Sequence, residues 1–461
     1  MGTPPLVRAL GAAVVLTAAA CHLGPQVDNS QHVPAIERIV GSTPAWVGRD
    51  KLGASLWKAE RQFYESRGNL PAWIDGDRAS PRLGTLVDAL KHSEDHGLDS
   101  ARYGLDRLQQ TVARADENKQ RYEVERVPEF DTRLTYAYLQ YAADLLGWSG
   151  NPKAISTNWV RANNKADLAE QLAKAVSTNQ VRETLEELAP THPQYKGLQA
   201  ALARERQSPT GHLDRIRMNL VRWRWMPREL GDRYVFVNVP AYQMQVMEGE
   251  KPVLAMRVIV GDPTHQTPLF SDEMTTIVFS PNWNVPESII RKEMLPRLVN
   301  DPGYLERQDI QVVGTSGQVI DAEAVDWDDE SAVAGLHFRQ EPGPKNALGL
   351  VKFQFPNSFD VYMHDTPQDA LFNKERRALS HGCVRLENPV ALAQYVLRDN
   401  PSWTMEKIAA AMNAGEEHAV PLKEHLPVHI GYFTAWVNPD GSVAYTDDPY
   451  NLDQDQSRLL P

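Results

Sequence analysis

Cys383 is the residue of this chain whose presence is hardest to explain by packing alone. It is one of two cysteines, and the other, Cys21, stands at the end of an export signal, so a disulfide is not its purpose. Cys383 lies within Ser380-His381-Gly382-Cys383-Val384-Arg385, 19 residues after His364. An imidazole that takes the thiol proton leaves a thiolate–imidazolium pair and lowers the cysteine pKa below about 8.5. The pattern predicts cysteine-based acyl transfer, with an inert buried cysteine as the alternative.

The histidines and the glycine have separate predicted roles. His364 is the expected general base, because His381, only two residues from Cys383 in a tight loop, would point its ring away from the sulfur. Backbone amides around Gly382 are the expected oxyanion donors, with Ser380 and His381 supporting the loop. A metal site built from the two histidines and the cysteine is a weaker alternative, since it lacks a fourth ligand and the usual spacing.

Four further residues are candidates for binding substrate. Arg385 could hold a carboxylate through two parallel hydrogen bonds, or it could brace the cysteine loop through a buried ion pair. Tyr362 stands at the end of the strand that carries His364, and Trp283 and Asn284 lie in the segment 281–286. These side chains are expected to form walls of a peptide cleft, with packing in the core as the alternative for the two aromatic residues.

Composition restricts the partners. The chain has 461 residues, 42% apolar and 23% charged, which is typical of a globular protein of about three domains. Its net charge of -12 excludes the basic surface that nucleic acid requires and makes anionic lipid an equally poor partner.

The first 21 residues predict export. Arg8 precedes an apolar run over 9–20 that is too short to span a bilayer but suits a signal peptide. Small residues directly before Cys21 favour lipid attachment at that cysteine, with ordinary cleavage after Ala20 as the alternative. We therefore expect a periplasmic or cell-envelope protein whose contact with a membrane is a lipid anchor.

Apolar spacing divides the rest of the chain into two halves and predicts the α+β class. Helical spacing dominates residues 48–210, and a period of two begins at 233, which predicts a helical domain followed by a mostly-β domain. The full predicted order is a signal at 1–21, a linker at 22–47, the helical domain at 48–210, a connecting helix at 211–232, the β domain at 233–450 and a tail at 451–461. An insertion at 287–345 contains a helical segment at 289–298 and is predicted to form a lid, with a plain structural elaboration as the alternative. Asp131 and Asn388 are each predicted to cap a helix.

These residues resemble a known family. His364, fifteen intervening residues and the Ser380–Arg385 motif resemble the signature of L,D-transpeptidases with a YkuD-type catalytic domain. The segments 222–227, 279–286 and 351–357 are similar to the large YcbB-type branch, so the likeness covers roughly residues 48–450. The resemblance implies that the helical domain is a scaffold and that the mostly-β domain is β-sandwich-like. One departure is the short passage from 203 to 212, where members of the branch commonly carry a peptidoglycan-binding module.

The resemblance implies a reaction. Cys383 would attack a tetrapeptide stem of peptidoglycan before its terminal D-Ala, and the thioester would pass to an amine of a second stem to give a 3→3 cross-link. The family implies a mobile lid, inhibition by carbapenems, and no metal or organic cofactor. Hydrolysis of the same thioester, attachment of an envelope protein, and a non-catalytic wall-binding scaffold remain as alternatives.

Overall fold

The computed structural model describes residues 28–117, 121–301 and 303–458, so the export signal and Cys21 lie outside the described residues. Within these ranges, no helix is both long and apolar enough to cross a membrane. The first half is helical, as the spacing predicts. Its elements are α1 Val33–Val40, α2 Lys51–Ser66, β1 Ile74–Asp75, β2 Arg78–Ala79, α3 Pro81–His92, α4 Leu105–Glu117, α5 Val127–Leu145, α6 Leu168–Thr178, α7 Val181–Glu186, α8 Pro193–Gln207 and α9 Leu213–Trp225.

The helical half corrects two expectations. The predicted linker is too long, because Ile36 and Val40 of α1 and the following Val47 are buried in the helical core. Asp131 is not a helix cap, since α5 begins at Val127 and encloses it. Its carboxylate instead accepts hydrogen bonds from the Tyr64 hydroxyl and from successive backbone amides at 72–74. A buried carboxylate needs such donors to offset its lost hydration.

The second half contains most of the strands, as alternation predicts. Its elements are β3 Arg233–Asn238, β4 Gln243–Glu248, β5 Lys251–Gly261, β6 Phe270–Phe279, β7 Trp283–Asn284, α10 Glu287–Ile289, α11 Leu295–Leu298, α12 Tyr304–Arg307, β8 Ile310–Val313, β9 Val319–Ile320, α13 Glu330–Val333, β10 His337–Gln340, β11 Val351–Gln354, β12 Met363–His364, β13 Ala378–Ser380, β14 Val384–Leu386, α14 Pro389–Leu397, α15 Met405–Met412, β15 His418–Gly431, β16 Ala435–Val437, β17 Val443–Tyr445 and α16 Leu452–Ser457.

The large sheet closes on itself. Its strands follow the order β13-β5-β14-β12-β11-β6-β15-β3-β4, and β4 also pairs with β5. The enclosed core contains the inward-facing residues of most of these strands, including Met363 and Val384. This closed sheet forms the mostly-β domain that the alternation predicts and that the family resemblance describes as sandwich-like.

The C-terminal residues are not a free tail. Asp453 of α16 pairs with the fully buried Arg222 of α9, at 2.7 Å between Oδ1 and Nη2. Arg222 also donates from Nε to the Gln456 side chain at 2.8 Å. Helix α16 therefore holds the connecting helix α9 against the β domain.

The insertion is a small folded unit with its own sheet, in the order β7-β10-β8-β9. A π-helical turn, Ile290–Met294, joins α10 to α11 in one continuous helical segment. This segment buries Ile290, Met294 and Leu298 in a core that is separate from the core of the large sheet. The sequence predicts a helix here but not the strands, which have only two to four residues each.

Candidate active site

Two short parallel strands bring the predicted nucleophile and base together. β12 pairs with β14, with Met363 opposite Val384 and His364 opposite Arg385. Met363 and Val384 point into the enclosed core and are fully buried. Because side chains alternate along a strand, their neighbours in sequence point to the other face. That face carries Tyr362, His364, Cys383 and Arg385.

Tyr362 lies beside the Cys383 thiol. Its backbone and its side chain both act to lower the pKa of that thiol. The ring also lies edge-on to the His364 imidazole, with 5.7 Å between ring centroids. Tyr362, predicted as a cleft wall, is thus part of the reacting group of residues.

The tautomer of His364 suits a general base. Its Nδ1 lies 2.5 Å from the backbone carbonyl oxygen of Asp365. Because a carbonyl can only accept a hydrogen bond, Nδ1 carries the proton and Nε2 keeps its lone pair. The Asp365 carboxylate is itself fixed by the amides of Leu350 and Thr366, at 2.8 and 2.7 Å. His364 is the diagonal neighbour of Cys383 across the strand pair, on the same face.

Desolvation by the packed surroundings sets the resting protonation of this pair, although Cys383 itself is partly exposed. It raises the pKa of Cys383 to about 11, even though Tyr362 and the charge of Arg385 act in the opposite direction. Burial, followed by the Arg385 charge, lowers the pKa of His364 to about 3. Both groups are therefore neutral near pH 7. The packed surroundings therefore disfavour the thiolate–imidazolium pair expected from the sequence, because they solvate neither ion well.

The contacts of Arg385 agree in part with each of the two roles predicted from the sequence, binding a carboxylate and bracing the cysteine loop. Its Nη1 donates to the Gln368 side-chain oxygen at 2.8 Å, so it does contact a neighbouring loop. Among the described residues, however, no carboxylate forms an ion pair with it, and its buried Nε has no hydrogen-bond partner. Burial lowers the pKa of the guanidinium. The cation keeps hydrogen-bonding capacity beside Cys383.

The loop before Cys383 is held by its own side chains. The Ser380 hydroxyl donates to the Cys383 carbonyl at 2.6 Å and accepts from the Gly382 amide at 3.2 Å. Gly382 has a φ of 115°, a conformation that other residues rarely adopt. Its amide is engaged inside the loop, which leaves it a poorer oxyanion donor than the sequence predicts.

A second loop, Gly261 to Thr267, supports the first and was missed in the sequence. The Thr267 hydroxyl donates to the Gly382 carbonyl at 2.8 Å, and the Asp262 amide donates to the Ser380 carbonyl at 2.8 Å. The loop follows a strand and is rich in turn-forming residues, but nothing local indicates its partner.

The remaining candidates lie elsewhere. His381 is exposed and points to the insertion, where its Nε2 lies 2.5 Å from the Glu293 carboxylate. Its ring also faces that of His265, with 4.8 Å between centroids. Trp283 and Asn284 form edge strand β7 of the insertion sheet, opposite Gln340 and Arg339. They do not belong to the four-residue face around Cys383.

Comparison with known proteins matches both halves of the chain. Residues 58–202 match the family model of a scaffold domain. Residues 232–414 match that of the L,D-transpeptidase catalytic domain. A protein of Haemophilus influenzae, provisionally named an L,D-transpeptidase, is 29% identical over 320 residues, which is 68% of this chain and 64% of the relative.

Solved structures with local similarity include an L,D-transpeptidase from Mycobacterium smegmatis, with 12% identity over 43% of this chain and 58% of that chain, at a TM-score of 0.20. L,D-transpeptidase 3 from Mycobacterium tuberculosis, in complex with a faropenem-derived adduct, has 14% identity over 43% and 60% of the two chains, at a TM-score of 0.21. An L,D-transpeptidase in complex with imipenem has 12% identity over 43% and 58%, also at 0.21.

Proposed function

Since this chain belongs to the L,D-transpeptidase family, in the YcbB-type combination of a scaffold domain with a YkuD-type catalytic domain, we propose that it cross-links peptidoglycan, with Cys383 as nucleophile and His364 as base. The observation that carries the proposal is the shared sheet face. On that face Tyr362 lies beside the Cys383 thiol, and the contact of His364 Nδ1 with a carbonyl supports Nε2 as the proton acceptor.

The first half-reaction begins from the neutral pair. As the sulfur attacks the carbonyl carbon before the terminal D-Ala, the thiol proton passes to Nε2 of His364. The carbon–nitrogen bond then breaks, and the imidazolium returns that proton to the departing D-Ala amine. A thioester on Cys383 remains. Because no ion pair exists at rest, charge develops only in the transition state, where the neighbouring donors and the Arg385 cation stabilise it.

The second half-reaction consumes the thioester. An amine of an acceptor stem attacks the thioester carbon, its proton moves to His364, and the carbon–sulfur bond breaks. The imidazolium then reprotonates the thiolate, and a 3→3 cross-link is released. If water attacks instead, the product is a shortened stem, which is the carboxypeptidase alternative.

Arg385 is the proposed partner of a stem-peptide carboxylate, because its guanidinium is not neutralised by an acidic side chain among the described residues.

No metal or organic cofactor takes part in this scheme. Because the catalytic domain matches the L,D-transpeptidase family model, we propose that carbapenems acylate Cys383 by the same attack. We further propose export to the periplasm, with a lipid at Cys21 serving in place of a peptidoglycan-binding module.

The test is incubation with purified tetrapeptide muropeptides, followed by mass spectrometry. We expect a dimer that has lost one D-Ala, and no dimer from Cys383→Ala or His364→Ala. A folded wild-type enzyme that becomes acylated but yields only tripeptide would refute transpeptidation and leave a carboxypeptidase. An enzyme that neither acylates nor cross-links would refute catalysis itself.

A further inference from the structure

His381, next to the nucleophile in sequence, is directed away from it and toward the insertion. Its imidazole and the Glu293 carboxylate meet at 2.5 Å, although 88 residues separate them in the chain. Among the described residues, this is the polar side-chain contact that joins the helical edge of the insertion to the loop of Cys383. Both side chains are partly exposed, at 37% and 39%.

Glu293 belongs to the helical segment that packs in the core of the insertion. Glu293 lies within the π-helical turn, which changes the direction of side chains relative to a regular helix. The residues on either side of the turn's polar face, Ile290 and Met294, are anchored in the core of the insertion. Glu293 is therefore held to the core of the insertion through its neighbours in the turn.

His381, the other partner in the contact, lies in a loop that is held by hydrogen bonds. His381 is flanked by Ser380 and Gly382, whose backbone carbonyls accept hydrogen bonds from the amide of Asp262 and the hydroxyl of Thr267. Thus the position of the insertion and the position of the nucleophile's loop are joined through one pair of side chains.

We propose that the Glu293–His381 pair is a clasp that determines which acceptor resolves the thioester. While the clasp is closed, the insertion shields the thioester on Cys383 from bulk water and favours the amine of a bound acceptor stem. When it opens, water competes for the same carbon. This inference depends on the proposed cysteine chemistry and adds to it the residues that set the ratio of cross-linking to hydrolysis.

The experiment compares Glu293→Gln with Glu287→Gln in the full chain. Glu287 is a matched control, because it is exposed on the same helical segment and pairs with Arg291 rather than with the cysteine loop. Each variant is given donor and acceptor muropeptides, and dimer and tripeptide are quantified from the same reaction. Hydrogen exchange over residues 287–298 reports the opening of the insertion independently of activity.

An exposed contact between two polar side chains makes a small contribution, so we expect Glu293→Gln to lower the ratio of dimer to tripeptide by about two- to fivefold, with faster exchange over 287–298. Glu287→Gln should change neither quantity. His381→Gln should shift the ratio in the same direction, and the double variant should shift it no further than one single variant does.

Unchanged product ratio and exchange in Glu293→Gln would overturn the clasp. So would full additivity in the double variant, because two residues acting through one contact cannot lose it twice. If the wild type forms tripeptide but no dimer, transpeptidation fails while the clasp is still tested. In that case the imipenem adduct should hydrolyse faster in Glu293→Gln than in Glu287→Gln, because only the first substitution opens the clasp. Equal rates of hydrolysis would overturn the proposal.

Discussion

Cys383 should react with iodoacetamide more slowly than a free thiol at neutral pH, and its reactivity should keep rising far above neutrality. Burial raises the pKa of this thiol from 9.0 to about 11. At pH 7 the thiolate fraction therefore falls from about 1 in 100 to about 1 in 10⁴. A thiolate of higher pKa is intrinsically more nucleophilic, by about tenfold for two pKa units. The net expectation is alkylation about tenfold slower than that of free cysteine.

The assay uses a Cys21→Ser chain, in which Cys383 is the single thiol. Intact-mass measurement gives the alkylation rate at each pH from 6 to 10. Below the thiol pKa the thiolate population grows about tenfold per pH unit, so the rate should rise across the whole range without a plateau. Denatured protein provides the free-thiol reference.

His364→Ala separates the two ionisation schemes. With a neutral resting pair, this variant should alkylate at close to the wild-type rate, while acylation by imipenem falls by about 10²–10⁴-fold because the proton acceptor is gone. Three results together would refute the reasoning: the alkylation rate of the wild type reaches a plateau near pH 7, it exceeds the rate of free cysteine, and the excess is lost in His364→Ala. They would show that the imidazolium stabilises a thiolate at rest, against the desolvation that burial imposes.

Three further substitutions test other parts of the structure. Gly382→Ala should reduce imipenem acylation by at least about tenfold, because its φ of 115° strains any other residue; unchanged acylation kinetics would contradict this. Ser380→Ala removes both loop hydrogen bonds and should slow acylation while circular dichroism shows an intact fold. Glu60→Met should stabilise the protein at pH 7 by about 1–3 kcal/mol in urea unfolding, because both carboxyl oxygens of Glu60 are buried without a hydrogen-bond partner among the described residues. Burial raises the pKa of Glu60 well above 4.5, so the folded state keeps a proton that the unfolded state releases. The stability of the wild type therefore falls as pH rises above about 4.5. The gain in stability from Glu60→Met should accordingly shrink toward pH 4.

Local patterns in the sequence were sufficient for much of the framework. Apolar spacing predicted the helical half, and alternation predicted the strands that begin at 233, because both periodicities report which side of a segment is buried. Asn388 was recognised as the cap of α14, and its side chain does accept from the Ala391 amide at 3.1 Å. Capping is a contact between near neighbours, so it can be inferred without the fold.

The sequence failed where contacts are distant. Helix α1 and the C-terminal α16 have polar surroundings in sequence but pack on partners far along the chain, and the insertion's strands are too short for a period to be visible. Nothing near Glu293 indicates that it meets His381.

By itself, then, the sequence determined which residue types are available for the chemistry and the order in which they occur: a thiol after a glycine, with a histidine 19 residues before it. The tertiary structure decided how they act. The parallel pairing of β12 with β14 brought Tyr362 beside the Cys383 thiol, and the packed surroundings disfavour a charged pair there. Ionisation depends on everything within several ångströms of a group, so it is a property of the folded surroundings and cannot be read from neighbours in the chain.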